Sequence, residues 1–273
     1  MKLDTALLQR AIPDGSMRYF AWLYTPQDKR DALAALFLLE SELRDTANAP
    51  HDVAHIRLQW WRDEIDRLNR GNAQHPATQV LQASRSPTTD FTVLDGLLLS
   101  TAQDIAHSTY ETDVELLQYA RGYASLYKLA ALLLNGAPTS AALDAAEKLG
   151  SFIRTIETLR DLRLDVHHGR LYLPLSEMDK LNIEYQVLES KVWPSEFVQW
   201  LTIRCNQLLQ QQQQIRQALL KTEAAQLRPL LVLATLHEKL LDVLIKNPSS
   251  FDYRAELKPF SKLWTAWRIA RIT

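Results

Sequence analysis

The sequence predicts an all-α fold in a single domain, on three observations. Glycine is scarce, with 7 residues in a chain of 273, and the 11 prolines fall mostly between segments of helical apolar periodicity. No stretch alternates between apolar and polar residues for long enough to indicate a sheet. No Gly/Ser linker or shift in composition divides the chain. We therefore predict one helical bundle over residues 1–273.

Apolar residues recur at helical spacing along almost the whole chain, and several predicted helices start or stop at recognisable signals. Pro26 precedes the third helix, Asp90 precedes the sixth, and the stretch NGAP at 135–138 separates the seventh from the eighth. The predicted helices cover, in order, residues 3–11, 16–24, 27–48, 51–70, 76–84, 90–107, 112–135, 139–166, 176–181, 194–221, 223–246 and 256–270.

The composition excludes some partners and predicts a location. Lys and Arg total 31 against 32 for Asp and Glu, so no net charge attracts nucleic acid or an anionic membrane, and any anion site must be local. The longest apolar runs are interrupted or too short to span a bilayer, and the N-terminal stretch lacks the apolar run of a signal peptide. We expect a cytoplasmic protein without a nucleic-acid partner. The single cysteine, Cys205, is interpreted as a buried helix residue.

Three carboxylates, Glu157, Asp161 and Asp165, recur at a spacing of i, i+4, i+8, which places them on one side of a helix. Like charges at this spacing destabilise a helix, so compensation is expected from nearby arginines or from bound cations. Mg²⁺ is a suitable cation, because it prefers oxygen ligands and commonly binds one or two carboxylates together with substrate phosphates. From spacing alone, a solvated acidic stripe paired with neighbouring arginines remains an alternative. Those arginines are Arg154, Arg160 and Arg163.

A turn with a glycine and an arginine follows this helix. Gly169 permits a sharp reversal of the chain, and Arg170 is placed where it could bind a phosphate through two hydrogen bonds. The acidic helix and this turn together predict half of a metal and diphosphate site.

The string "LRDLRLDVHHGRLYLP" resembles the second aspartate-rich motif of the squalene/phytoene synthase family. In that family an Asn-x-x-Arg-Asp-x-x-x-Asp helix leads into an Arg-Gly-Arg-x-Tyr-Leu-Pro turn. The matching residues are Arg160, Asp161, Asp165, Gly169, Arg170, Tyr172, Leu173 and Pro174. Glu157 stands in place of the usual Asn, and His168 in place of a frequent Arg. Residues Ser16, Arg18, Tyr19, Pro26 and Arg30 match the family's N-terminal region, and the resemblance extends over essentially the whole chain.

The resemblance implies a helical bundle of the isoprenoid synthase type around a central apolar cavity. It implies that prenyl diphosphates are held through Mg²⁺ by two facing aspartate-rich helices, and that active members join two prenyl diphosphates. The implied catalytic residues are Asp161 and Asp165. The implied substrate contacts are Ser16, Arg18, Arg160, Arg170 and Tyr172.

The first aspartate-rich motif departs from the family pattern. The matching stretch, "LESELRDTANA", places Arg44, Asp45 and Asn48 at the three motif positions. Two unit charges 4 Å apart interact by about 4 kcal/mol at an effective dielectric constant near 20, and a divalent ion doubles this, so Arg44 and a metal should exclude each other. Two arrangements follow. Either Glu157, Asp161 and Asp165, with Asp45 and Asn48, hold Mg²⁺ in a rebuilt site, or Arg44 contacts the diphosphate directly.

Two functions remain open at this point. One is a prenyltransferase of isoprenoid metabolism that binds and condenses prenyl diphosphates at a reduced Mg²⁺ site. The other is a catalytically inactive lipid-binding or respiratory-complex assembly protein. The segments "LFLLESELRD" and "IRLQWWRDEIDRL" resemble a branch related to a mitochondrial complex I assembly factor. The expected partner is a prenyl diphosphate or related lipid, with a peripheral membrane contact left open and a protein partner expected for the inactive alternative.

Overall fold

The computed structural model describes residues 2–87, 89–190, 192–247, 251 and 254–273. Its N-terminal half contains α1 (Thr5–Ala11), α2 (Met17–Leu23), α3 (Arg30–Ala47), α4 (His51–Asn69), α5 (Pro76–Ala83), α6 (Asp95–Ile105) and α7 (Asp113–Asn135). The remainder contains α8 (Ser140–Arg160), α9 (Leu162–His167), α10 (Leu175–Lys180), α11 (Tyr185–Glu189), α12 (Ser195–Ala218), α13 (Lys221–Gln226), α14 (Arg228–Lys246) and α15 (Pro259–Ile272). Short 3₁₀ turns cover Gln27–Lys29 and Phe91–Leu94.

The prediction of an all-α fold is confirmed. Within the described ranges the only extended pairing is an isolated bridge between Tyr110 and Pro174. Side-chain caps begin several helices where the sequence places Ser, Thr or Asp. Ser16 accepts a hydrogen bond from the Tyr19 amide, and Thr112 and Thr139 cap α7 and α8 in the same way. No described helix is both long and apolar enough to cross a bilayer.

Helix α7 lies at the centre of the bundle. It packs along α8 on one side and α6 on the other, and it also contacts α3, while α14 packs against α2, α8, α12 and α15. Glycine permits the closest approach. A Cβ atom at Gly150 of α8 would lie 2.8 Å from the Cα atom of Ala124 and 2.5 Å from the ring of Tyr127, both on α7. The backbones of α7 and α8 are therefore in direct contact at this point.

Side chains nearly fill the space between α3, α7 and α14. The apolar cavity that remains there has a volume of about 10 Å³, which is roughly the room one water molecule needs. Phe37, Tyr127 and Leu230 are among the residues that line it. At this place the core of the bundle is packed by side chains and leaves only a small space. A larger pocket of about 640 Å³ lies between α7, α8 and α12 and is lined by charged and apolar residues together.

The structure divides two of the predicted helices. The helix predicted over 139–166 is interrupted at Asp161, whose backbone (φ −93°, ψ 7°) leaves the helical geometry. Asp161 is hydrogen-bonded by the side chain of the adjacent Arg160, and neighbouring residues do not face each other on a regular helix. The helix predicted over 223–246 is divided at Leu227, because Pro229 lacks an amide hydrogen and favours the first turn of a new helix.

Candidate functional site

Arg44 forms the contact that joins the two motif helices. Its guanidinium donates to the Glu40 carboxylate on its own helix, with Nη2 2.6 Å from Oε1, and it pairs across the bundle with Glu157 on α8. Burial alone would raise the pKa of Glu157, but the charge of Arg44 and a contact with His237 outweigh it and hold that pKa well below its usual range. The charged form of Glu157 is therefore favoured beside Arg44.

Each carboxylate that pairs with Arg44 has a second cation close by. The Arg18 guanidinium lies 2.8 Å from Glu40 Oε2 and also donates to Ser41. Glu157 lies 3.8 Å from Arg154 and 3.7 Å from the imidazole of His237. The centre of the bundle therefore contains a connected network in which carboxylates alternate with cationic side chains.

A second polar cluster surrounds Asp104 on α6. Its carboxylate accepts hydrogen bonds from the Tyr123 and Tyr172 hydroxyls, each at 2.6 Å. The Arg154 guanidinium lies 3.8 Å from Asp104, stacks 4.2 Å from the centre of the Tyr123 ring and donates to Tyr119. Burial raises the pKa of the tyrosine hydroxyls, so they stay protonated donors. Because Arg154 also faces Glu157, it connects this cluster to the Arg44 network.

Asp161 and Asp165, the implied catalytic residues, differ in their surroundings. The Arg160 side chain binds Asp161 through two hydrogen bonds of 2.7 and 2.5 Å, and Arg254 adds a third of 3.1 Å. Asp165 has no side-chain hydrogen bond or ion pair to the described part of the chain. Burial, opposed by Arg154 and reinforced by Asp161, raises its pKa to about 7. Within the described part of the chain, Asp165 is thus the one acid of the motif whose carboxyl group is not already paired with another side chain.

The remaining predicted substrate contacts form hydrogen bonds within the protein. Arg170 donates to the Asn48 amide oxygen at 2.7 Å and to the Ala47 carbonyl at 2.6 Å, which fixes the end of α3. The Tyr172 hydroxyl donates to the Asp104 carboxylate, and Ser16 Oγ caps α2 by accepting from the Tyr19 amide. Arg170 and Tyr172 already have hydrogen-bond partners within the protein, so a phosphate at these two groups would have to displace one.

The five predicted Mg²⁺ ligands do not come together. Asp45 faces away from α8 and pairs with Arg10 of α1, while Asn48 is held by Arg170 and Glu157 by Arg44. In the described portion of the chain, no group of three or more His, Cys, Asp or Glu side chains is placed to hold a metal ion. Because the guanidinium of Arg44 lies against Glu157, the residues of the two motif helices do not fit a Mg²⁺ ion between them.

Sequence reasoning missed the Asp104 cluster and the central role of Arg154. A signal was present, since Tyr119 and Tyr123 are one helical turn apart and Asp104 lies near the end of the preceding predicted helix. Their meeting depends on how α6 and α7 pack, which the spacing within one helix does not specify.

A helical bundle of this topology, with a polar centre between two motif helices, is the architecture of the isoprenoid synthase class. A family model described as squalene/phytoene synthase matches residues 14–261. The chain belongs to the squalene/phytoene synthase family.

Individual relatives agree with this assignment. The chain is 27% identical over 175 residues to presqualene diphosphate synthase of Rhodopseudomonas palustris, covering 62% of each chain. It is 27% identical over 173 residues to phytoene synthase of Mycobacterium tuberculosis, covering 62% of this chain and 56% of the relative. The matches thus span about three fifths of the length of these curated relatives.

Two solved structures share the fold. A dehydrosqualene synthase in complex with a ligand matches with a TM-score of 0.77 at 17% identity, covering 92% of this chain and 89% of the other. A squalene synthase from Alicyclobacillus acidocaldarius matches with a TM-score of 0.71 at 15% identity, covering 89% of this chain and 96% of the other. At these identities the likeness concerns the fold.

Proposed function

We propose that this protein binds a prenyl diphosphate, or a related anionic isoprenoid lipid, through Arg44 without a bridging metal, and that it does not condense two such molecules. The ion pair between Arg44 and Glu157 carries this proposal, because the resemblance to the first aspartate-rich motif puts Arg44 at a position where a carboxylate is expected. Relatives named presqualene diphosphate synthase and phytoene synthase support an isoprenoid ligand.

Arg44 is suited to exchange partners. Its side chain is 25% exposed, compared with 11% for Arg154, so a ligand can reach it more readily. If a diphosphate takes Arg44, Glu40 keeps Arg18 and Glu157 keeps Arg154 and His237. Neither carboxylate is then left as an unpaired buried charge, which would be strongly unfavourable. A guanidinium binds a phosphate through two parallel hydrogen bonds, so the exchange conserves charge-assisted contacts.

The same arrangement disfavours condensation. Loss of diphosphate from an allylic carbon requires that the charge of the leaving group be neutralised, which metal ions accomplish by acting as Lewis acids. A Mg²⁺ ion beside Arg44 would be repelled by it, and a single guanidinium supplies less charge than a divalent ion. The apolar cavity between α3, α7 and α14, with a volume of about 10 Å³, is too small for an isoprenoid chain in this conformation.

Binding of farnesyl diphosphate to Arg44 variants in EDTA tests the contact. A hydrogen bond to a charged group contributes about 1.5–3 kcal/mol, so Arg44→Gln should weaken binding by roughly ten- to a hundredfold. Arg70→Gln, on the exposed end of α4, is the matched control and should bind as the wild type does. Unchanged affinity in a folded Arg44→Gln protein would remove Arg44 from the ligand site.

One observation favours a second candidate, a Mg²⁺-dependent prenyltransferase. The carboxyl group of Asp165 has no partner within the described ranges, and it lies close enough to Asp161 for that charge to raise its pKa. Two adjacent carboxylates are a common Mg²⁺-diphosphate anchor. For this candidate, Mg²⁺ should support release of pyrophosphate from farnesyl diphosphate, and both Asp161→Asn and Asp165→Asn should abolish it. No release by the wild type, or equal release by the variants, would dismiss it.

A further inference from the structure

The last described helix, α15, has an unusual distribution of side chains. Its inner side packs on α14 and α2, with Thr265, Ala266 and Ile269 all buried. Its outer side carries large apolar residues, with Phe260 75%, Leu263 48% and Trp264 53% exposed. A surface helix of a globular protein normally has the opposite arrangement, so the outer face is expected to meet an apolar partner.

Basic residues accompany these apolar side chains. Residues 257–273 contain Lys258, Lys262, Arg268 and Arg271 and no Asp or Glu. Arg268 and Arg271 are exposed, and the Arg271 guanidinium stacks 4.3 Å from the centre of the Trp267 ring. Trp267 in turn stacks on Trp264, with ring centres 4.9 Å apart. The outer face is therefore a set of adjoining aromatic and cationic groups, in a chain whose net charge is only −1.

We propose that the outer face of α15, formed by Phe260, Leu263, Trp264, Trp267, Arg268 and Arg271, docks on the surface of an anionic lipid bilayer. Tryptophan is favoured at the membrane interface, where its apolar ring and polar N–H are both accommodated. Lys and Arg near such a surface each gain about 1 kcal/mol from anionic lipids. The absence of acidic side chains from residues 257–273 removes the repulsion that an anionic surface would otherwise meet.

The helix is held so that it can present this face without unfolding. The Lys262 ammonium donates to the Gly15 carbonyl at 3.0 Å, which ties α15 to the loop before α2. Docking therefore needs no insertion of a spanning helix and corresponds to peripheral attachment. This inference does not depend on the ligand proposed for the Arg44 site.

Cosedimentation with vesicles tests the apolar part of the face. Wild-type protein should bind vesicles of phosphatidylcholine mixed with phosphatidylglycerol, and the double variant Phe260→Gln with Trp264→Gln should bind at least tenfold more weakly. Ile56→Gln on α4 is a matched control, because Ile56 is 71% exposed and lies on another helix. Equal binding by the wild type and the double variant would overturn the proposal, as would failure of the wild type to bind.

The basic residues of the outer face are tested separately. Replacing two cations, in Arg268→Gln with Arg271→Gln, should weaken binding to the same mixed vesicles by about thirtyfold. Vesicles of phosphatidylcholine alone should bind wild-type protein far more weakly, and added salt should release it from the mixed vesicles. Equal binding to neutral and anionic vesicles would contradict the proposed charge recognition.

Sedimentation velocity without lipid distinguishes the bilayer from a second copy of the chain. The proposal expects the same sedimentation coefficient for the wild type and the Phe260→Gln, Trp264→Gln variant. A wild-type dimer that dissociates in this variant would show that the face is a protein interface and would overturn the bilayer proposal. Farnesyl diphosphate binding by the variant should equal that of the wild type, which separates the outcome from that of the Arg44 site.

Discussion

Arg44 lies between two carboxylates, and this position determines both the stability and the chemistry expected of the site. On α3 it contacts Glu40, and on α8 it contacts Glu157, which is 113 residues away in the chain. A buried carboxylate that loses its cation is far less stable than one that keeps it. The residue therefore links α3 and α8 by charge.

Removal of Arg44 should destabilise the protein, and the effect of removing Glu157 should depend on whether Arg44 is present. Arg44→Gln should lower the free energy of unfolding by about 1.5–3 kcal/mol, the range for a hydrogen bond to a charged group, because Glu40 and Glu157 each lose one cation and keep Arg18 and Arg154. Glu157→Gln should cost less in the Arg44→Gln background than in the wild type, since the pair between the two residues is already lost. Urea unfolding followed by circular dichroism measures both. Strictly additive losses in the double variant would show that the two side chains do not interact.

Cys205 provides an independent check of the packing of α12. Burial raises the pKa of its thiol to about 12, so at pH 8 only on the order of one molecule in ten thousand carries the reactive thiolate. We expect the native protein to react with a thiol reagent only as fast as it unfolds, and the unfolded protein to react at once. Rapid labelling under native conditions would show that the Cys205 region is open to solvent. The single cysteine makes the measurement unambiguous.

At the scale of elements, the contact between α7 and α8 depends on glycine. Gly150→Ala should destabilise the protein by several kcal/mol, because its new Cβ atom would overlap the backbone at Ala124 and the ring of Tyr127. Gly96→Ala is the matched control on α6. Its Cβ atom would lie 3.4 Å from the nearest atom, the Cα atom of Gly122, so the substitution should be close to neutral. The melting temperatures of the two variants are compared by thermal unfolding, and Gly150→Ala should melt at the lower temperature. Equal melting temperatures would contradict the close packing at Gly150.

Most helices could be predicted because the sequence signals that define a helix lie within or next to it. Apolar periodicity and caps such as Thr112 and Thr139 lie within a few residues of the elements they define. The division at Pro229 was also local and should have been predicted from the proline. The break at Asp161 could not be, because it accompanies contacts with Arg160 and with the distant Arg254. The short α11 was missed because five residues are too few to show a period.

The site was less predictable than the fold. Spacing along the helix predicted over 139–166 identified Glu157, Asp161 and Asp165, and the family pattern identified Arg44 as the departure. Periodicity shows which residues share a face, but not which face of another helix they meet. It therefore could not show that Asp45 turns to Arg10, or that Arg170 holds the end of α3. Those contacts join residues far apart in the chain and depend on the packing of whole helices.

At the scale of the whole molecule, the family fold is retained while its polar centre is neutralised by its own side chains. Two solved relatives of the fold superpose over about nine tenths of the chain. In this chain Arg18, Arg44 and Arg154 pair with the carboxylates of Glu40 and Glu157 between the motif helices. A fold can keep its architecture when its chemistry changes, so function must be tested at the site.

Calorimetric titration with farnesyl diphosphate, first in EDTA and then in Mg²⁺, tests the central claim most directly. If Arg44 takes the place of the metal, the dissociation constant should be nearly the same in both conditions, and product analysis of the Mg²⁺ sample should find no condensed isoprenoid and no released pyrophosphate. Binding that appears only with Mg²⁺ and is followed by release of pyrophosphate would contradict the account and establish a metal-dependent enzyme.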